Sequence, residues 1–176
     1  LDDMEFPDTY EGRRDKVIVT MLYSTSMRAA ELIDLDVADV NMRESLVSVI
    51  GKRNKQRLIP MVPELHDGLT AYLAERERLL SDVAENQALF LDAGTCKRIS
   101  YAKLRVLVRD ALSKVTMQSK RSPHVLRHSF ATSMLNHSAD LQSVKELLGH
   151  ESLKTTAIYT HTTFEELKKM YNQAHP

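Results

Sequence analysis

The fold class follows from residues 46–61, which read LVSVIGKRNKQRLIPM. Two apolar or β-branched runs, Leu46–Ile50 and Arg57–Met61, flank a polar turn that begins at Gly51. Such runs on either side of a glycine-containing turn are typical of a β-hairpin. We therefore predict an antiparallel hairpin here, with residues 36–43 as a candidate third strand.

Helical periodicity precedes this hairpin. Apolar side chains recur at helical spacing over residues 13–23. They are Val17, Ile18, Met21 and Leu22. Residues 24–26 interrupt the pattern, and Ser26 is predicted to be the N-cap of a short helix through Leu35, because serine is favoured at that position.

Helices also dominate the sequence after the hairpin, apart from residues 89–94, which suit a loop or short strand. They are predicted over Glu64–Leu80, over the amphipathic segment Ser100–Val115, from Ser122 to about His137, over Asp140–Leu148, from Ser152, and from Thr163 onward. Ser122-Pro123 pairs a capping serine with a proline at the first helical position. Gly149 suits a left-handed helix end. The predicted fold class is mainly α with a small antiparallel β-sheet (α+β).

Length and composition indicate one domain. The chain has 176 residues, of which 43% are hydrophobic and 27% charged. It contains no run of the roughly 18 apolar residues that span a bilayer, so no membrane association is expected. Cys96 is the one cysteine, which excludes an intrachain disulfide and fits a reducing cytoplasm. The chain begins at Leu1 and not at methionine, so we expect an excised fragment.

The net charge is zero, but the charges are segregated along the chain. Residues 1–15 hold six acidic and two basic side chains, and residues 97–128 hold nine basic side chains against Asp110 alone. Such segregation can form one positive face for a phosphate backbone. The candidate DNA contacts are Lys52, Arg53, Lys55, Arg57, Lys97, Arg98, Lys103, Lys120 and Arg121. For either basic cluster alone, a solvated helix face is the simpler explanation.

Five motifs along the chain carry residues suited to attack on a phosphodiester. They read TSMRAAEL with Arg28, GKRNKQR with Lys52, SPHVLRHSFAT with His124 and Arg127, LLGHESL with His150, and TAIYTH with Tyr159. In this order the chain resembles the catalytic domain of tyrosine recombinases, of the Xer type or of phage and transposon integrases. The resemblance extends from about Arg13 to Tyr171.

The resemblance implies a role for six residues. Arg28 and Arg127 would be the two catalytic arginines, Lys52 the lysine of the hairpin turn, His124 and His150 the two histidine positions, and Tyr159 the nucleophile. One departure concerns Ser26, because the family usually has glycine there. A serine suits that position if its backbone φ angle is negative.

The resemblance also implies an organisation and partners. Residues 1–176 would form a single C-terminal catalytic domain, with the DNA-clamping N-terminal domain outside this chain. The partner would be a double-stranded DNA recombination site, bound by a homo- or hetero-tetramer. Phe164, Leu167 and Met170 form an apolar stripe that suits either the intramolecular core or docking of the last helix on a neighbouring protomer. The expected location is cytoplasmic and nucleoid-associated.

The chemistry of these residue types fits strand cleavage. A tyrosine has a pKa of about 10, so Tyr159 needs nearby positive charge or a base to attack phosphorus. Two guanidiniums can grip the non-bridging oxygens in bidentate fashion. Lys52 could protonate the departing 5′-oxygen. The product would be a 3′-phosphotyrosyl DNA that keeps the bond energy, so we expect no metal, ATP or other cofactor.

Three other functions fit parts of the pattern. A type IB topoisomerase-like enzyme would use the same chemistry to relax supercoils. A catalytically silent DNA-binding regulator would keep the fold alone. A zinc hydrolase is the remote alternative, since His124 and His128 stand four apart, but the glutamate of the usual zinc motif is missing between them.

Overall fold

The computed structural model describes residues 4–51, 54–80, 86–113 and 122–123. Its helices are α1 (Tyr10–Thr25), α2 (Ala29–Asp34), a 3-10 turn (Val37–Asp39), α3 (Pro63–Leu79) and α4 (Tyr101–Ser113). Its strands are β1 (Val40–Asn41), β2 (Leu46–Ile50) and β3 (Gln56–Pro60). The predicted α+β class is confirmed, with helices on both sides of a small sheet in the sequence.

The three strands form one antiparallel sheet in the order β1-β2-β3. The hairpin register pairs Leu46 with Pro60 and Ile50 with Gln56. The Gly51 amide closes the turn by donating to the Lys55 carbonyl at 2.8 Å. The predicted hairpin is therefore confirmed. The third strand is confirmed in a shorter form, because part of residues 36–43 forms the 3-10 turn.

The junction between α1 and α2 differs from the prediction. Ser26 ends α1 in a left-handed conformation with φ 55°, and Arg28 is the N-cap of α2. The prediction of Ser26 as an N-cap is therefore wrong, and the condition under which a serine suits that position, a negative φ angle, is not met. The Glu31 side chain accepts a hydrogen bond from the Arg28 amide at 2.7 Å. This bond caps the start of α2 from within the helix, so no capping serine is needed.

The core lies where α1, α3 and α4 pack with the inner face of the sheet. All four apolar residues of the α1 pattern are buried, as predicted. The same core cluster also contains Val47, Val49, Ile59, Leu65, Leu69, Tyr72, Leu104 and Val108. Full burial of such side chains stabilises a fold by about 1.5–3 kcal/mol each. The core thus fixes the sheet and α2 relative to the longer helices.

Residues 86–99 form a loop that α3 holds by side-chain hydrogen bonds. Tyr72 donates from its hydroxyl to the Leu89 carbonyl at 3.0 Å, and Arg76 Nη2 donates to the Ala88 carbonyl at 2.7 Å. These bonds satisfy carbonyls that lie in the interior, where an unpaired group would be costly. The loop leads directly into α4.

Ser122 and Pro123 are described, with Pro123 buried and helical. The rest of the helix predicted to begin there, and the helices predicted over residues 140–148, from 152 and from 163, lie outside the described residues. Within the described part, no helix combines the length and apolar character that crossing a bilayer requires.

Candidate active site

Arg28 lies at the start of α2 with its side chain held by one carboxylate. Its Nη1 donates to Glu31 Oε1 at 2.7 Å, as the spacing of three residues allowed. The Arg28 side chain keeps 29% exposure, whereas the Glu31 side chain keeps 6%. Since this bond uses one of the five N–H donors of a guanidinium, Arg28 is oriented and still accessible to a ligand.

Glu31 also binds a second arginine, from β3. Arg57 Nη2 lies 2.8 Å from Glu31 Oε2, and Arg57 Nη1 lies 3.2 Å from Oε1. Burial by itself raises the pKa of the Glu31 carboxyl, but hydrogen bonds from Arg57 and from the Arg28 backbone outweigh it and lower the pKa. Glu31 is therefore ionised at neutral pH and joins α2 to the hairpin.

The base of the hairpin turn packs against this ion pair. A Cβ atom on Gly51 would lie 3.3 Å from Arg57 Nη1 and 3.6 Å from Glu31 Oε1. The absence of a side chain lets the start of the turn approach the pair closely. Lys52 follows Gly51 in the sequence, so the turn that carries it starts beside the carboxylate that orients Arg28. Lys52 itself lies outside the described residues.

The other predicted catalytic residues also lie outside the described part of the chain. They are His124, Arg127, His150 and Tyr159. His128, which pairs with His124 in the zinc alternative, lies outside it as well. The described residue nearest to them in sequence is Pro123, buried at a helix start. The roles of these residues stay predictions.

The predicted DNA contacts occupy two kinds of environment. Lys55, Lys97 and Lys103 are exposed, although Lys103 forms an ion pair with the buried Asp92. The side chain of Arg57, in contrast, is 11% exposed and bound to Glu31. Lys52, Arg53, Lys120 and Arg121 lie outside the described residues. Exposed lysines can reach a phosphate backbone, whereas a buried guanidinium in an ion pair is suited to joining two elements of the fold.

Arg98 is another predicted DNA contact that has partners inside the protein. Its Nη1 donates to the carbonyls of Ile33 and Leu35 at 2.6 and 2.8 Å. Its Nη2 lies 2.5 Å from Asp36 Oδ1. Arg98 thus ties the loop before α4 to the end of α2. The DNA-contact assignments of Arg57 and Arg98 stay predictions, but this geometry favours a structural role for both.

Two tyrosines outside the motifs, Tyr10 and Tyr72, contact each other inside the protein. The hydroxyls of Tyr10 and Tyr72 lie 3.0 Å apart. Burial raises the pKa of both phenols, so neither ionises readily enough to be a nucleophile. Tyr72 belongs to the core and Tyr10 packs against it, so neither competes with the predicted role of Tyr159.

The pairing of Arg28 with Glu31 follows from their spacing of three residues in the sequence, whereas the contact of Arg57 with Glu31 spans 26 positions. The alternation of inward-facing and outward-facing residues along β3 could have identified the contribution of Arg57. Arg57 shares the face of β3 that carries the buried Ile59, since residues two apart point to the same side of a sheet. An arginine on the inner face needs a buried acidic partner, and Glu31 stands within the motif that carries Arg28.

Comparisons with known proteins agree on one family. Residues 4–166 match the model of the phage integrase family. The tyrosine recombinase XerC of Pelotomaculum thermopropionicum is 43% identical over 98% of this chain, and the tyrosine recombinase XerD of Staphylococcus epidermidis is 39% identical over 98%. The chain spans 58% and 59% of the length of these two relatives.

A solved structure shares the fold. The XerH site-specific recombinase bound to difH substrate, in a pre-cleavage complex, superimposes with a TM-score of 0.72. It is 30% identical, and the match covers 97% of this chain and 50% of that one. The predicted tyrosine recombinase catalytic-domain fold is therefore confirmed.

Proposed function

We propose that this chain, which belongs to the phage integrase family, is the catalytic part of a site-specific DNA recombinase. In this proposal the enzyme cleaves and rejoins DNA strands through a covalent 3′-phosphotyrosyl intermediate. The observation that carries the proposal is the arrangement around Glu31. It orients Arg28 at a helix start, and the turn that carries Lys52 starts beside it. An accessible, oriented guanidinium next to a basic turn suits the binding of one phosphate.

In this proposal Arg28 and Arg127 hold the non-bridging oxygens of the scissile phosphate and neutralise the charge that grows in the transition state. Loss of one such preorganised donor typically lowers the rate by about 10²–10³-fold. Tyr159 attacks phosphorus and Lys52 protonates the departing 5′-oxygen. His124 and His150 hydrogen-bond the phosphate or accept the proton of the phenol. A 5′-hydroxyl from another strand then reverses the step.

The proposed partner is a double-stranded recombination site, and a structural relative, XerH, was crystallised bound to difH substrate. Contacts to phosphates would make this binding depend on salt concentration. We further propose a tetramer on DNA, in which the last helix docks on a neighbouring protomer, and a role in chromosome partition or in mobile-element integration. The cytoplasm, at the nucleoid, is where such an enzyme would meet its substrate.

A nicked suicide duplex tests the proposal. The site is first selected by binding from fragments of the source genome, and the duplex is nicked so that cleavage releases a short strand and traps the intermediate. We expect an adduct that resists denaturation and that Tyr159→Phe abolishes. The matched control is Tyr101→Phe, since Tyr101 is 50% exposed and outside the motifs. Binding without any adduct would indicate a DNA-binding regulator.

A second assay separates recombination from relaxation of supercoils. Two duplexes with different end labels, each carrying the selected site, are mixed with the protein, and a supercoiled plasmid without the site is treated in parallel. A recombinase exchanges the labels and leaves the plasmid supercoiled. Relaxation of the plasmid without exchange would instead support the type IB topoisomerase alternative.

A further inference from the structure

One carboxylate holds the guanidinium of Arg57 through its two Nη atoms, while the buried Nε has no hydrogen-bond partner among the described residues. Both of its Nη atoms donate to Glu31, to Oε2 at 2.8 Å and to Oε1 at 3.2 Å. This is the bidentate geometry in which an arginine fixes the plane of its partner. The side chain of Arg57 is 11% exposed. A guanidinium in this position cannot also grip a DNA phosphate without breaking the pair.

Each oxygen of Glu31 accepts from both arginines. Oε1 accepts from Arg28 Nη1 and Arg57 Nη1, and Oε2 accepts from the Arg28 amide and Arg57 Nη2. The terminal torsion of a glutamate is broad when nothing holds it. Arg57 therefore fixes the rotation of the carboxylate, and the fixed carboxylate places the guanidinium of Arg28.

Charge gives Arg57 a second effect on Arg28. With Arg28 as its single partner, the buried carboxylate would neutralise the cation meant for the phosphate. Arg57 supplies the compensating charge, so the three side chains together keep one net positive charge. Because the Arg28 side chain is the most exposed of the three, that charge is available at the surface where a phosphate would bind.

The same ion pair connects Arg28 to the hairpin turn. Arg57 belongs to β3, and the Gly51 Cα lies close enough that an added Cβ would be 3.3 Å from its Nη1. Any shift of the turn relative to α2 must therefore disturb this pair. We propose that Arg57 is a positioning residue that acts through Glu31, holding Arg28 and the base of the lysine-carrying turn in one arrangement. This inference rests on the proposed recombinase function.

The test compares Arg57→Met, which removes the charge, with Arg57→Lys, which keeps the charge and loses the bidentate geometry. It uses whichever form of the protein cleaves as wild type, the 176-residue chain or a longer polypeptide that contains it. Adduct formation is measured in a single turnover at saturating DNA, and affinity is measured separately by fluorescence anisotropy. The control is Arg43→Met, an exposed arginine on the neighbouring turn of the same sheet.

We expect Arg57→Met to slow adduct formation by about 10²-fold, the cost of a misplacement near 1 Å, with little change in DNA affinity. Arg57→Lys should fall between wild type and Arg57→Met, and Arg43→Met should cleave at the wild-type rate. A double variant, Glu31→Gln with Arg57→Met, distinguishes slow cleavage caused by unfolding from slow cleavage caused by a misplaced Arg28, because it leaves no buried unpaired charge. It should keep the wild-type melting temperature and still cleave slowly.

Wild-type cleavage by Arg57→Met at saturating DNA would overturn the proposal, and so would a defect that higher DNA concentration removes. A measurement that does not depend on cleavage distinguishes failure of the positioning role of Arg57 from failure of the proposed recombinase function. The Arg28 amide donates to Glu31, so its hydrogen exchange, followed by NMR, should accelerate in Arg57→Met. If wild type formed no adduct but Arg28 exchange still accelerated, the recombinase proposal would fail while the positioning role stood. Unchanged exchange would refute that role.

Discussion

Replacing Glu31 by alanine removes the carboxylate that holds two arginines together in the protein interior. Four hydrogen bonds disappear, and Arg57 keeps its charge at 11% exposure with no acidic partner among the described residues. Breaking a buried pair in this way costs about 3–5 kcal/mol. Because Arg28 is 29% exposed and water can solvate it, we expect the lower end, about 3 kcal/mol. That corresponds to a fall in melting temperature of about 6–12 °C for a domain of this size.

The chain offers a matched control in Glu75, which also binds two arginines. Glu75 lies 2.7 Å from Arg78 and 3.3 Å from Arg13, but its side chain is 27% exposed and that of Arg78 is 76% exposed. Exposed pairs contribute about 0–1 kcal/mol, so Glu75→Ala should cost no more than that. Urea unfolding of both variants gives the comparison, provided that the m-values agree. Equal losses for the two variants would show that burial does not determine the cost of breaking these ion pairs.

Three further changes follow from the same geometry. The pKa of Glu31 in the folded state is lowered from its ordinary value of 4.5, so the stabilisation that its charge contributes is complete above that pH and is lost as the pH falls further. The unfolding free energies of wild type and Glu31→Gln should therefore converge in acid. Divergence of the two free energies there would contradict the lowered pKa of Glu31. Ser26→Gly removes the cost of about 1–2 kcal/mol for a left-handed residue with a side chain, against an entropy cost of about 0.4–1 kcal/mol for glycine. The free energy of unfolding, measured in urea, should therefore rise by about 0.5–1 kcal/mol, whereas a fall would show that the serine side chain contributes more than the strain. Gly51→Ala places a Cβ 3.3 Å from the ion pair and should lower the free energy of unfolding by about 1–3 kcal/mol. The control is Gly94→Ala, whose nearest contact would be at 3.5 Å and which should unfold at nearly the wild-type midpoint. Equal losses of unfolding free energy for the two variants would argue against crowding at Gly51.

The local features of the fold were predictable from the sequence. β-branched runs and a glycine gave the hairpin, and the spacing of apolar residues gave α1, α3 and α4, because these signals depend on neighbours within a few positions. The contact of Arg28 with Glu31 belongs to the same class. The residues stand three apart, on one side of a helical turn.

Features that depend on tertiary structure were missed or misjudged. The preference of serine for N-caps pointed to Ser26, but the helix before it ends there in a left-handed turn, and the next helix is capped through Glu31. Arg57 was grouped with its basic neighbours by composition, although its partner is 26 positions away in the sequence. Arg98 was grouped in the same way, and its acceptors are more than 60 positions away. Such pairings arise from packing between elements, which a local pattern does not encode.

In the proposed mechanism, Arg28, Arg127 and Tyr159 converge on one phosphate of the DNA. A structure of Tyr159→Phe bound to an intact recombination site would show these three residues around the scissile phosphate, since the variant holds the substrate uncleaved. We expect guanidinium nitrogens of both arginines within about 3.2 Å of oxygens of the same phosphate, with the ring of residue 159 facing its phosphorus. Two guanidiniums in separate pockets, with no phosphate between them, would rule out this mechanism.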